Sequence, residues 1–157
     1  MTCEEYNKIV FNNSLDDGNR KKALQELIKH GCLDSLFSFV KRPTMDRWIR
    51  NYALLALVKF AGLSLHSRNI AITLQNNEIS LKTDLNTKKL REEAARFLFV
   101  IVVTTTRLTK TRKIALMGLI AGGHWQYCDE LLADKSIDDW IRLKIKKASK
   151  RKKSKSK

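Results

Sequence analysis

The chain has 157 residues, 43% of them hydrophobic and 30% charged, with one proline and six glycines. That composition excludes a collagen-like or wholly disordered chain, and the length suffices for one domain burying about 70% of its unfolded surface. No run of eighteen apolar residues is present, which excludes a conventional membrane-spanning helix. The net charge of +15 is unevenly placed: residues 142–157 hold ten Lys or Arg and no acid, leaving 21 basic against 16 acidic residues elsewhere. Such a balance suits an acidic partner, whether nucleic acid, an acidic protein surface or anionic lipid.

The opening MTCEEYNK has neither the apolar stretch of a signal peptide nor the arginines of a transit peptide. Cys3, Cys32 and Cys128 lie far apart and are odd in number, so they are expected to be reduced intracellular thiols rather than a disulfide framework. Nuclear and cytoplasmic placement both remain open.

In chain order, residues 3–12 predict a capping helix with Tyr6, Ile9, Val10 and Phe11 on its apolar side. Residues 19–29 predict a second helix, with Ala23, Leu24, Leu27 and Ile28 on one face and Gly31 as its stop. A third, over 33–41, carries Leu33, Leu36, Phe37 and Val40 and is ended by Pro43. A fourth runs from about Met45 to Ala61, with Asp46 near its start and Gly62 after it. No alternating strand pattern appears, and Thr104 to Thr106 read as a helix end and turn.

Short helix, glycine, short helix, proline, long helix is a unit that recurs. Residues 20–50 align on 112–142 without a gap, at an offset of 92. Arg20, Lys21, Ala23, Leu24, Leu27, Ile28 and Gly31 meet Arg112, Lys113, Ala115, Leu116, Leu119, Ile120 and Gly123. Asp46, Trp48, Ile49 and Arg50 then meet Asp138, Trp140, Ile141 and Arg142. These are eleven identities in 31 positions, more than amphipathic helices share by chance. A weaker match of 49–58 with 90–99, at an offset of 41, predicts a middle unit and so three in tandem.

These residues resemble armadillo repeats or their HEAT-like relatives. LIKHGCLDSLFSFV at 27–40 is similar to the family's second helix, and Ile49, Ala53, Ala56, Leu57, Phe60, Ala61 and Gly62 to its third. The resemblance covers 19–62 well, 110–148 fairly, and 63–103 only in its last helix. It implies an all-α, right-handed superhelical stack of about three three-helix repeats over residues 1–148, closed by the capping helix. Residues 149–157 are expected to be a disordered basic tail. The family's third helices line a concave groove, which here implies Leu55 and Lys59, then Arg96 and Val100, then Lys147 and Arg151. Tyr52, Glu93 and Lys144 lie one turn earlier. None is the Trp or Asn with which importin-like members clamp an extended peptide. The marked positions instead grow more basic towards the C-terminus, which an acidic ligand complements.

Trp48 and Trp140 are expected to fill equivalent core gaps, the alternative being exposed stacking platforms. His30 with Cys32 and His124 with Cys128 flank equivalent glycines. Their spacing matches no zinc pattern, and their units are expected to stand two repeats apart, so no metal is expected. No GxSxG, HExxH or glycine-rich phosphate loop occurs, so neither enzymatic activity nor a cofactor is expected. Asp16-Asp17, Glu92-Glu93 and Asp138-Asp139 all fall near helix starts, where the dipole accounts for them.

The sequence therefore predicts a non-enzymatic adaptor that binds a partner protein, acidic in character, through its helical groove, alone or as part of a larger complex. The tail cations Lys150, Arg151, Lys152, Lys153, Lys155 and Lys157 add electrostatic reach or a nuclear-targeting signal, and Ser149, Ser154 and Ser156 are modifiable. The rival is an RNA- or DNA-binding repeat protein in which the tail and Arg20, Lys21, Lys22, Lys110, Arg112 and Lys113 contact phosphates.

Overall fold

In the computed structural model, residues 1–62, 75–76, 79, 88–104 and 107–155 are described. Among them the protein is all α-helical, without a strand. Eight helices follow one another: α1 (Cys3–Phe11), α2 (Asp17–Lys29), α3 (Leu33–Lys41), α4 (Arg47–Ala61), α5 (Lys88–Val103), α6 (Thr109–Ala121), α7 (Trp125–Ala133) and α8 (Asp139–Lys155). Both ends of α2 and α3, and the start of α4, recur in α6, α7 and α8 after the same 92 residues. The repeat is thus one of structure as well as sequence.

The turn between the short helices explains why both copies place a glycine at the same point. Gly31 and Gly123 take φ of 66° and 74°, a region open to glycine at no steric cost. The Cys32 amide donates to the Leu27 carbonyl at 2.9 Å and the Gly31 amide to that of Ile28 at 3.1 Å. His124 to Leu119 and Gly123 to Ile120 repeat the arrangement, each at 3.0 Å. This pair of hydrogen bonds satisfies two of the last carbonyls of the helix while the chain reverses.

The buried set forms one continuous core running through both copies. Helix α4 is its centre: Ile49, Ala53, Leu54, Ala56, Leu57, Val58, Phe60 and Ala61 are all buried. α4 packs on α3 at one side and on α5 and α6 at the other. A Cβ added at Gly118 of α6 would stand 2.8 Å from Val58 Cγ2 and 3.0 Å from Leu98 Cδ1, so only glycine lets α6 settle between α4 and α5. Where α4 ends, the buried His124 donates from Nε2 to the Ala61 carbonyl at 2.7 Å.

Two expectations change, and one falls outside the described residues. The copies at the 92-residue offset are not separated by a whole repeat, because α4 of the first touches α6 of the second. The first two helices of the expected middle unit fall on 63–87, which lie outside the described residues apart from 75–76 and 79; its last helix is α5. Cys3 and Cys32 are joined by a disulfide rather than reduced, since α1 packs along α2 and places Cys3 beside the α2–α3 turn with the Cα atoms 6.0 Å apart. Cys128 is free, as expected, and buried.

The basic end does not leave helical order at residue 149. Helix α8 continues to Lys155, and Lys152 Nζ sits 4.7 Å from the centre of the Trp125 ring. Lys and Arg are good helix formers, and cations suit the negative end of the helix dipole.

Candidate functional site

The most regular polar feature is a pair of buried arginines. Arg20 and Arg112 are 3% and 4% exposed, which removes them from any phosphate-binding role. Arg20 donates from Nε to the Val10 carbonyl at 2.9 Å, and from Nη1 and Nη2 to the Asp46 carboxylate at 3.1 and 3.4 Å. Arg112 does the same to Val102 at 2.8 Å and to Asp138 at 3.2 and 3.4 Å. Each guanidinium therefore ties three helices: α1, α2 and α4 in the first copy, α5, α6 and α8 in the second. Val10 and Val102 are also 92 apart, so the capping helix α1 stands where the end of α5 stands in the second copy. The hydrogen bond from arginine, foremost, holds the Asp46 and Asp138 carboxyls below their ordinary range.

The remaining candidate residues scatter. Trp48 and Trp140 are half-buried against the core, and the Trp140 indole donates to Asp138 at 3.2 Å. His30 stacks on Tyr6 with centroids 5.8 Å apart. No group of three or more metal-ligating side chains forms among the described residues. Burial pushes the Cys128 thiol up to about 11.

Of the groove positions, Tyr52 and Leu55 on α4 are buried, and Lys59 is half-buried. Glu93 on α5 is half-buried, whereas Arg96 and Val100 are exposed. Lys144, Lys147, Lys150, Arg151 and Lys152 on α8 are exposed; Lys153 and Lys155 lie within the helix, and Lys157 lies outside the described residues. Helix α8 packs on α6 and α7, whereas α5 packs on α4 and α6. The surface that survives thus belongs to α5 and α8.

One concavity escapes sequence reasoning. A cleft of about 320 Å³ opens between the α3–α4 turn, α4 and the start of α6. Val40 and Leu54, both buried, form its floor, and Pro43 and Leu108 stand exposed at its edge. Its charged lining is Arg47, Arg50, Arg107 and Lys110, with no acid among them. Of these, the sequence marks only Lys110 as a candidate ligand-binding residue. The available signal was divergence between the copies, for Arg47 faces Asp139 across the offset and Lys110 faces Gly18.

That divergence has a thermodynamic side. Helix α2 begins with Asp16 capping the Asn19 amide at 2.7 Å and Asp17 in its first turn. Helix α6 begins at Leu108 without a side-chain cap, and its first turn holds Lys110 and no acid. The missing cap costs about 1 kcal/mol, and a cation at this end of the dipole adds a further unfavourable contribution of about 0.3–1 kcal/mol.

No helix among the described residues is long and apolar enough to cross a membrane. The chain matches no family model, no curated protein and no solved structure.

Proposed function

We propose that the protein is a non-enzymatic adaptor of armadillo-like design that binds an acidic partner protein through its repeat surface, with the cationic end of α8 adding electrostatic reach. The observation that favours this is the identity of the exposed large hydrophobics among the described residues: Met1, Val100, Val103, Leu108 and Leu143, all aliphatic. Every described tryptophan is half-buried against the core instead of standing free as a stacking platform. Single-stranded nucleic acid is held by aromatic platforms on a cationic track, whereas protein interfaces combine apolar contact with arginine.

The experiment is affinity capture with nuclease present, comparing the native chain with Arg96→Glu combined with Lys147→Glu. A protein retained through nuclease treatment and released by the double variant is expected. Retention that nuclease abolishes would favour the rival, nucleic-acid binding, for which the acid-free run of cations on α8 is the supporting observation.

A further inference from the structure

The cleft lies at the junction of the two copies, and three of its four cations stand where the residue 92 positions away is not a cation. Arg47 replaces the Asp139 of its counterpart, Lys110 replaces Gly18, and Arg107 replaces Leu15. The residues that hold the fold, by contrast, are identical across the offset: Arg20 with Arg112, Asp46 with Asp138, Gly31 with Gly123. Scaffold is preserved while the cleft lining diverges towards one sign of charge.

Arg50 carries the second observation. Its counterpart Arg142 donates to the Leu132 carbonyl at 3.1 Å and to the Asp134 carbonyl, which closes the α7–α8 turn. Arg50 makes neither bond in the first copy. It lines the cleft instead, without the turn carbonyls that occupy the Arg142 guanidinium. A guanidinium that its own turn does not occupy keeps donors for a ligand carboxylate.

From these observations we infer that the cleft is a docking site for a short acidic peptide segment of the partner, carrying at least one apolar side chain. Carboxylates meet the four cations at the rim, with Arg50 and Arg47 able to take them in a planar fork, and the apolar side chain rests on the exposed Pro43 and Leu108. The exposed aliphatic edge distinguishes this occupant from a nucleic acid, whose phosphates would use the cations and leave Pro43 and Leu108 uncovered. The inference rests on the adaptor function and adds where the partner is held and by what chemistry.

The test is fluorescence anisotropy with three probes: a labelled glutamate-rich peptide with a central leucine, the same peptide with serine for leucine, and a single-stranded oligonucleotide of equal charge. They are titrated with the native chain, with Arg47→Asp plus Lys110→Glu, and with a charge-matched variant outside the cleft lining, Lys8→Glu plus Lys135→Glu. Both cleft substitutions place acids at helix starts, and the first installs the residue its counterpart carries, so the fold tolerates them; melting curves check this. The leucine peptide should bind the native chain, weaken more than about tenfold in the cleft variant, where like charges oppose it, and change less than about threefold in the charge-matched variant. The serine peptide should be weaker than the leucine peptide. No detectable peptide binding, equal binding of the two peptides, or equal weakening in the cleft and charge-matched variants would overturn the cleft assignment while leaving the adaptor function to the capture experiment. Oligonucleotide binding that exceeds peptide binding and disappears in the cleft variant would overturn both.

Discussion

Arg20 and Arg112 show how one residue fixes three helices. Removing either guanidinium leaves a buried backbone carbonyl without its donor and an aspartate without its partner. Arg112→Met should therefore lower stability by about 2–4 kcal/mol in urea titration. Arg112→Lys should recover little of this, since one ammonium cannot reach the Val102 carbonyl and both Asp138 oxygens together. The lowered carboxyls of Asp46 and Asp138 set the pH response. Their contribution is complete above the ordinary aspartate value near 3.9 and is lost as pH falls through the lower folded-state values. Asp138→Asn should accordingly flatten the stability-versus-pH curve on its acid side and leave less stability at neutral pH. The pairing was legible in the sequence, for Arg and Asp recur 26 residues apart in both copies. The expectation of phosphate ligation overlooked that identity at both ends of one separation marks a contact, whereas a surface site has no reason to be copied. At Cys128 the raised thiol and its burial predict slow alkylation at pH 8 until the protein is denatured, followed by mass spectrometry.

At the scale of elements, the helix boundaries were largely readable. Amphipathic spacing placed α2, α3 and α4 within two residues of their observed ends, and the glycine stops fell where the positive φ occurs. Gly31→Val should destabilise by more than about 1 kcal/mol in thermal melts, because a β-branched residue at φ of 66° opposes the turn. A melting temperature equal to wild type would show the glycine to be incidental. What was not readable was long-range placement. The disulfide depends on α1 lying along α2, a fact about packing that cysteine spacing does not encode. Closing a loop of 29 residues should stabilise by about 3–4 kcal/mol on the chain-entropy model. Reductant, or Cys3→Ser, should therefore lower the melting temperature by several degrees. The extension of α8 past residue 149 was hidden for a related reason: charge density argues for disorder, and nothing local announces that Lys152 meets Trp125 across the α7–α8 turn. Neutralising the end by Lys→Gln and Arg→Gln changes should keep that helix, while truncation would take Lys152 away from the Trp125 ring.

On the scale of the molecule, the chain is a duplicated unit whose halves meet directly through α4, α5 and α6. Duplication was plain from the eleven identities, but the meeting of the halves was not, because an offset counts residues and carries no distance. The concave surface suffered most from this. Expecting each third helix to line a groove overlooked that α4 is wrapped by α3, α5 and α6, so Tyr52 and Leu55 turn inward. Arg96, Val100, Lys144 and Lys147 remain on the outside, and the cleft at the junction of the two halves was visible only once those halves were placed together. If nucleic acid is bound at all, it should be through α8. Neutralising Lys150, Arg151, Lys153, Lys155 and Lys157 should then reduce the slope of log affinity against log salt by about 0.7 for each single-strand phosphate that no longer has a cation beside it.

The central claim is that recognition of a protein resides on the folded repeat surface and not in the cationic end of α8. Its most direct measurement is nuclease-treated affinity capture with the native chain beside the variant neutralised at those five positions. The same protein partner should be retained by both, at comparable yield after a wash at physiological salt. Recovery of nucleic acid alone, abolished when the five cations are neutralised and with no protein retained by either chain, would contradict it.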